Sequence, residues 1–510
     1  MLLIQARQNP QVKKGASGGG FTQVLNNSDN LGRSRVQDLT LMSLQKQHQM
    51  TLIASVSGIR GTIGGSAHDN LTPVDCVAFA SAYGAFIQSQ AQGKPKVAIG
   101  RDARPSGDMV QSLVSQTLVA MGIDVLDLGL STTPTVEMVV PWEHCDGGII
   151  ITASHNPVQW NALKLLNARG EFLSAEEGEA LLTSVKQGAF EYAQVENLGS
   201  VTVVNDAIER HIQAILDLPM VDVDAIRKAN FSVAVDAVNS TGGISIPPLL
   251  RALGVARVEA LYCEPNGQFP HNPEPLRKHL DDICSLVPAK GCDLGVVVDP
   301  DVDRLVMVSE NGELFGEEYT LVAVSDYILS QQAGHCVSNM SSSRALADVA
   351  SQRQSTHSFS AVGEVHVVKE MKAQDAIIGG EGNGGVIYPE LHYGRDALVG
   401  VALFLSHLAQ KGGKASELRA SYPNYYMAKE KAQLTPDLDV DGILSSVRDS
   451  YADRNPSTVD GVKIEFDSHW VHLRKSNTEP IIRIYTEAPS QEQADALAAE
   501  FVQKIEAHRG

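Results

Sequence analysis

The sequence predicts an α/β protein: three successive strand-and-helix units of roughly 100 residues each, followed by a smaller α+β segment. Three observations carry this. Short β-branched runs alternate with amphipathic stretches from Thr51 to Ile151. A strand–turn–helix pattern then recurs: Val97-Ala98-Ile99-Gly100 opening toward Gly107 is matched by Val233-Ala234-Val235-Asp236 opening toward Gly243, and more weakly by Cys336-Val337-Ser338-Asn339 before Ser343 to Val349. Finally, 510 residues exceed what one ordinary core holds. Boundaries are expected near 205, 310 and 425, giving units 50–205, 206–310, 311–425 and 426–510.

Residues 1–49 stand apart. Lys14-Gly15-Ala16-Ser17-Gly18-Gly19-Gly20 has linker composition, acidic residues are scarce and apolar periodicity is poor. A disordered extension is expected; a transit peptide and upstream sequence before a start at Met50 are the alternatives. The chain as a whole is globular in composition, 43% hydrophobic and 20% charged. A net charge of −19 argues against a broad nucleic-acid surface, so any anionic ligand needs a local basic cluster. No apolar run reaches the ~18 residues of a membrane span. Six scattered cysteines without a CxxC pair fit reduced thiols and a cytoplasmic location. Oligomeric state carries no signature in the sequence.

In the first unit, Leu52 to Val56 reads as a strand entering a glycine-rich loop, Gly58-Ile59-Arg60-Gly61 to Gly65, where one cation and open backbone could meet an anion. A tight turn is the plainer reading. Helices are expected over Pro73–Gln90 and Met109–Met121, and strands over Lys96–Ile99, Val125–Gly129 and Gly147–Ile151, in a mostly parallel sheet. The last strand runs into Thr152-Ala153-Ser154-His155-Asn156-Pro157. A hydroxyl at a strand tip, flanked by an imidazole and an amide, suits covalent chemistry; a turn capped by Ser154 or Asn156 is the alternative.

In the second unit, Asp299-Pro300-Asp301-Val302-Asp303-Arg304 lies between two apolar runs, 294–298 and 305–308. Three alternate carboxylates on a tight loop would repel unless a cation joins them. An EF-hand is excluded because its sixth position is Arg304 rather than Gly and a strand fills its second half; an acidic solvated turn is the remaining alternative. In the third unit, Gly379 to Gly385 sets Glu381 and Asn383 among five glycines, as a sugar-binding loop or a hairpin turn. In the last, Lys463–Phe466, Val471–Arg474 and Ile481–Tyr485 read as strands and Gln491–Ala507 as a helix. The loop Arg474-Lys475-Ser476-Asn477-Thr478-Glu479-Pro480, with Arg483 beyond it, has the make-up of a phosphate cradle.

Taken in order, the stretches at 58–61, 152–157, 299–304, 380–381 and 474–480 resemble the motif set of the α-D-phosphohexomutase superfamily, and the chain is similar to its phosphoglucosamine, phosphomannose and phosphoglucose mutases from about residue 51 onward. The resemblance implies four domains around a central cleft and reversible 6-phosphate to 1-phosphate isomerisation through a phosphoserine and a glucose- or hexosamine-1,6-bisphosphate. By the same resemblance Ser154 would carry the phosphoryl group, and Asp299, Asp301 and Asp303 with a phosphoserine oxygen would hold Mg²⁺. Arg60 and Arg304 would steady phosphoryl oxygens, with His155 and Lys164 near the reacting hydroxyl. Glu381 and Asn383 would meet the sugar, and Arg474, Ser476, Asn477, Thr478 and Arg483 the non-reacting phosphate. Three departures stand out. The sugar loop reads Gly380-Glu381-Gly382-Asn383-Gly384-Gly385 where Gly-Glu-x-Ser-Gly-His is usual. Asn477 and Ala162 each replace a common glycine. Glucosamine phosphate is the expected substrate, with glucose and mannose phosphates as the alternative. The second phosphate loop argues against a phosphatase, and the intact serine and aspartates argue against a non-catalytic sensor.

Overall fold

The computed structural model describes residues 50–55, 58–434, 439–475 and 481–507; the extension 1–49 lies outside them. Four sheets organise the described chain. The first has seven strands in the spatial order 53–55, 58–62, 160–166, 147–151, 96–101, 124–130 and 201–203. Its first four pair antiparallel and the rest join in parallel, so the sheet is evenly mixed rather than mostly parallel.

One topology repeats three times. In each unit the first strand is central, the second and third flank it in parallel, and the fourth returns antiparallel beside the third. The first strands are Lys96–Arg101, Ser232–Asp236 and His335–Asn339, the same three places where the sequence pattern recurs. The connection from third to fourth strand is short every time, and it leaves from the carboxyl end of a parallel strand, where open α/β sheets place their ligands. Those three connections carry residues 152–159, 299–304 and 382–384. The recurrence therefore sets the candidate motifs at equivalent positions.

Gly58–Gly65, read from sequence as a loop, is a strand over Gly58–Thr62 paired antiparallel with Trp160–Leu166. Its glycines answer to packing: a Cβ on Gly58, at φ +119°, would lie 2.7 Å from the Leu163 carbonyl oxygen, and one on Gly61 would lie 2.9 Å from the Leu71 nitrogen. Likewise Gly379–Glu381 belong to a strand, leaving only 382–384 as the turn.

The second and third units share one apolar core. Helix Ala397–Lys411 is buried all round from Ala397 to Leu408 and packs on helices Glu317–Gln331 and Val223–Ala229. The first and last units have cores of their own. The C-terminal sheet is wholly antiparallel, in the order 426–433, 481–488, 470–475 and 462–465, with helix Gln491–Glu506 packed on it.

Candidate active site

Strand Gly147–Ile151 is fully buried and ends in a turn that the chain holds from three sides. Thr152 Oγ1 donates to Asp102 Oδ2 at 2.7 Å and accepts from the Ser154 amide at 2.9 Å. That clamp holds Ser154 at φ +47°, a left-handed conformation an L-residue adopts at a cost. Arg104, 1% exposed, completes the support. Its Nη1 and Nη2 donate to the carbonyls of Ser154, Asn156, Pro157 (2.7 Å) and Trp160 (3.1 Å), while Nε pairs with Asp102 at 2.9 Å. A guanidinium fork is the one side chain able to satisfy so many carbonyls at once.

Ser154 Oγ points out of this turn into the metal-loop candidate, donating to Asp299 Oδ2 at 2.6 Å. Asp299, Asp301 and Asp303 are all 0% exposed, and one carboxylate oxygen from each falls within 4.8 Å of the others. The loop is pinned by Ser240 and Thr241 hydroxyls donating to the Pro300 carbonyl (2.7 and 2.8 Å) and by Thr133, whose Oγ1 donates to Asp301 Oδ2 at 2.6 Å. Val302 between the aspartates sits at φ +65°, unusual for a β-branched residue and a mark of strain held at the loop. Burial, then repulsion from Asp303 and Asp301, push the Asp299 carboxyl well above the usual carboxylate range.

Two cations partly offset this charge. Lys164 Nζ reaches Asp301 Oδ2 at 2.6 Å and Asp303 Oδ2 at 3.2 Å. Burial opposes its charge, but the two aspartates more than compensate and raise its pKa. Arg395 Nη2 reaches Asp303 Oδ2 at 2.7 Å. The Asp301 and Asp303 Oδ1 atoms remain buried without a hydrogen-bond partner among the described residues. Two orphaned carboxylate oxygens beside a third carboxyl group, with one oxygen from each of the three within 4.8 Å of the others, are the donor set of a hard divalent cation, so the residues fit Mg²⁺.

His155 Nδ1 lies 3.3 Å from Ser154 Oγ. Burial, reinforced by Arg304, Arg395 and Arg60, holds this imidazole well below its ordinary pKa, hence neutral. Arg304 donates its amide to Asp299 Oδ1 at 3.1 Å. Arg60 arrives on strand Gly58–Thr62, its pKa lowered by burial and then by the charge of Arg483 from the C-terminal unit.

Glu381 is 4% exposed. Its carboxylate accepts from Asn339 Nδ2 (2.8 Å), the Gly363 amide (3.0 Å), Arg395 Nη1 (2.8 Å) and, more loosely, Asn383 Nδ2 (3.4 Å). Arg395 thus bridges Asp303 and Glu381, and its Nε also pairs with Glu364 at 2.9 Å. Arg474 and Arg483 are directly opposed on neighbouring strands, and Arg474 Nε lies 3.2 Å from Asp460. Ser476, Asn477 and Thr478 lie outside the described residues.

Sequence reasoning missed Arg104, Asp102, Thr133 and Arg395. Asp102 and Arg104 lie between the expected strand Lys96–Ile99 and helix Met109–Met121, and two charges flanking alanine ahead of a helix are the available signal. Arg395 had none, since its partners lie 14 to 92 residues away.

Comparison with known proteins gives one answer. Models of four consecutive phosphoglucomutase/phosphomannomutase domains match the chain: alpha/beta/alpha domains I, II and III over residues 52–192, 209–312 and 316–426, and the C-terminal domain over 428–504. A phosphoglucomutase/phosphomannomutase from Thermococcus kodakarensis is 36% identical over 440 residues, covering 85% of this chain and 95% of the relative. A phosphoglucosamine/phosphogalactosamine mutase from Sulfurisphaera tokodaii is 31% identical over 466 residues, covering 90% and 100%. Among solved structures, a phosphoglucomutase/phosphomannomutase family protein from Burkholderia thailandensis shares the fold with a TM-score of 0.77 at 24% identity, covering 91% of this chain and 98% of that one.

Proposed function

The chain belongs to the phosphoglucomutase/phosphomannomutase family of phosphohexomutases, and from that premise we propose that it converts glucosamine 6-phosphate to glucosamine 1-phosphate through a phosphorylated Ser154. The observation carrying the mechanism is the Ser154 hydroxyl, held in a rigid turn and donating to Asp299 at the centre of three buried carboxylates.

In the first half-reaction the bond from phosphorus to Ser154 Oγ breaks and one to the sugar O1 forms. The proton leaving O1 ends on Ser154 Oγ; neutral His155, 3.3 Å from that oxygen, is placed to relay it. The bisphosphate then turns over. Ser154 Oγ attacks the 6-phosphoryl group, the bond to O6 breaks, and the proton returns to O6. Asp299, Asp301 and Asp303 would hold Mg²⁺, which when bound would neutralise charge on the transferring phosphoryl group. Lys164 stays protonated between Asp301 and Asp303 and keeps their charge from accumulating. Arg60 and Arg304 steady phosphoryl oxygens.

Arg474 and Arg483 hold the other phosphate with Ser476, Asn477 and Thr478. The two arginines occupy paired positions on adjacent strands, so one phosphate can meet both guanidiniums. All four acceptor positions of Glu381 are taken, so it meets a sugar hydroxyl by giving up its weakest bond, the one from Asn383. The sugar assignment rests on these acceptors and on the name of the S. tokodaii relative. The T. kodakarensis relative favours glucose and mannose phosphates as the second reading. Comparing kcat/KM across the three 6-phosphates decides between them. Glucosamine should lead, with shallow discrimination because the usual serine and histidine are missing from the loop. A clear preference for glucose or mannose phosphate overturns the sugar and leaves the mutase standing.

A further inference from the structure

The first three units also meet at a second buried cluster that the phosphoryl chemistry does not use. His211 comes from helix Ala207–Leu216, Thr135 and Glu137 from helix Thr133–Trp142, and His392 and Asp396 from the segment that caps helix Ala397–Lys411. His211 and Asp396 are 0% exposed and Glu137 is 2% exposed. The Nε2 atoms of both imidazoles converge on a single oxygen, Asp396 Oδ2, at 3.0 Å from His211 and 3.3 Å from His392. The rings stand at 82° to each other with centroids 6.2 Å apart. Asp396 Oδ1 is occupied by the Leu398 and Val399 amides, which fixes the direction of Oδ2.

The far side of each ring is equally defined. His211 Nδ1 lies 3.0 Å from Thr135 Oγ1, and His392 Nδ1 lies 3.4 Å from Glu137 Oε2. Both Glu137 oxygens lack a hydrogen-bond partner among the described residues. If His392 carries its proton on Nε2, its Nδ1 lone pair faces the Glu137 carboxylate. If it carries the proton on Nδ1, its Nε2 lone pair faces Asp396. In either neutral tautomer one ring nitrogen of His392 presents a lone pair to a carboxyl group, and an ion between the two Nε2 atoms and Asp396 Oδ2 would take the Nε2 lone pairs while both Nδ1 atoms carry the protons.

We propose that His211, His392 and Asp396 form a site for a divalent first-row transition ion, with Thr135 and Glu137 orienting the two imidazoles. The ligand atoms lie within 4.8 Å of one another, close enough for one ion to draw them together. Two imidazoles and one carboxylate suit Zn²⁺ or Fe²⁺ rather than the hard Mg²⁺ of an all-oxygen site. A histidine ligand whose second nitrogen donates to a carboxylate or hydroxyl is the usual outer-shell pattern; His211 has it through Thr135, and His392 Nδ1 faces Glu137 Oε2 at 3.4 Å without a formed hydrogen bond. The ion would staple the second and third units at one point, with the first contributing Thr135 and Glu137 beside the imidazoles. It would also sit next to Arg395, which follows His392 and precedes Asp396 in the chain and holds Asp303.

The test uses the full chain without a histidine tag, stripped with chelator and then saturated with Mg²⁺ so that the aspartate triad is filled. Titration with Zn²⁺ should show one tight equivalent and a raised Tm, and Co²⁺ should give a visible absorption band that Zn²⁺ bleaches. Metal analysis of untreated protein then tells zinc from iron. His392→Gln should abolish the tight equivalent and Glu137→Gln should weaken it about 10- to 100-fold, whereas Asp301→Asn should retain it. The cobalt band in the unsubstituted chain keeps the test open if His392→Gln fails to fold. No tight zinc and no cobalt band would overturn the proposal and leave a protonated Glu137 as the cation's replacement. Retention in His392→Gln, or loss in Asp301→Asn, would overturn it equally.

Discussion

The conformation of Ser154 is set by its neighbours rather than by the residue itself. Its left-handed backbone is maintained by Thr152 on one side and by the Arg104 fork on the other, and Arg104 is in turn fixed by Asp102. The six residues 152–157 were legible in the sequence because the motif is contiguous. The support was not, because Arg104 acts over some fifty residues and ordinary turn chemistry explains its neighbours. The same holds for Arg395, which occupies a place where sequence showed only a missing serine and histidine. Arg104→Lys is the informative change: charge is kept and the fork is lost. We expect kcat to fall about 10- to 100-fold with KM nearly unchanged, since a misplaced nucleophile harms the transition state more than binding. Steady-state kinetics with circular dichroism as a folding control checks this; wild-type kcat would show that the carbonyl contacts are dispensable.

At the scale of elements, one device is used three times. A short connection between a parallel third strand and an antiparallel fourth carries Ser154, then Asp299, Asp301 and Asp303, then Gly382 to Gly384. The repeat was visible in the pattern of first strands, yet strand Gly58–Thr62 was not. Its close approach to residues 71 and 163 demands glycine, and glycine is what conceals a strand in sequence. The C-terminal sheet contributes the opposed Arg474 and Arg483. Arg474→Ala should raise KM about 10-fold or more while releasing free bisphosphate during turnover, because its partner anchors the turned-over intermediate as well as the substrate. Unchanged KM without leakage would contradict that placement. The same sheet holds a pH liability. His472 is 1% exposed and hydrogen-bonded to Ser341 and the Asp460 carbonyl, and burial lowers its pKa to about 4. The unfolded chain takes up a proton near the ordinary histidine value and the folded chain resists it. This contribution to stability is therefore complete above ~6.5 and lost as pH falls toward 4, amounting to about 2 kcal/mol at pH 5. Urea unfolding at pH 7.5 and pH 5, followed by the fluorescence of buried Trp470, should show a smaller acid loss in His472→Gln than in the unsubstituted chain.

The whole molecule brings these parts to one place. Ser154 from the first unit meets Asp299 from the second; Arg395 from the third meets Asp303; Arg483 from the last lies close enough to Arg60 to lower its pKa. The second and third units are fused by a continuous core around helix Ala397–Lys411, a packing that strand and helix periodicity could not reveal, because it depends on which apolar faces meet. The proposed function makes these contributions converge on a phosphoryl group carried by Ser154, and following that group through one turnover tests the proposal most directly. The chain, labelled on its serine by incubation with a labelled sugar bisphosphate, is mixed with unlabelled glucosamine 6-phosphate and quenched at successive times. The account predicts label on the Ser154 peptide at the start, then in bisphosphate and in glucosamine phosphates, with no release as inorganic phosphate. Ser154→Ala should take up no label and lose at least about 10⁴-fold in turnover. A Ser154 peptide that never carries label, together with near wild-type turnover in Ser154→Ala, would contradict it.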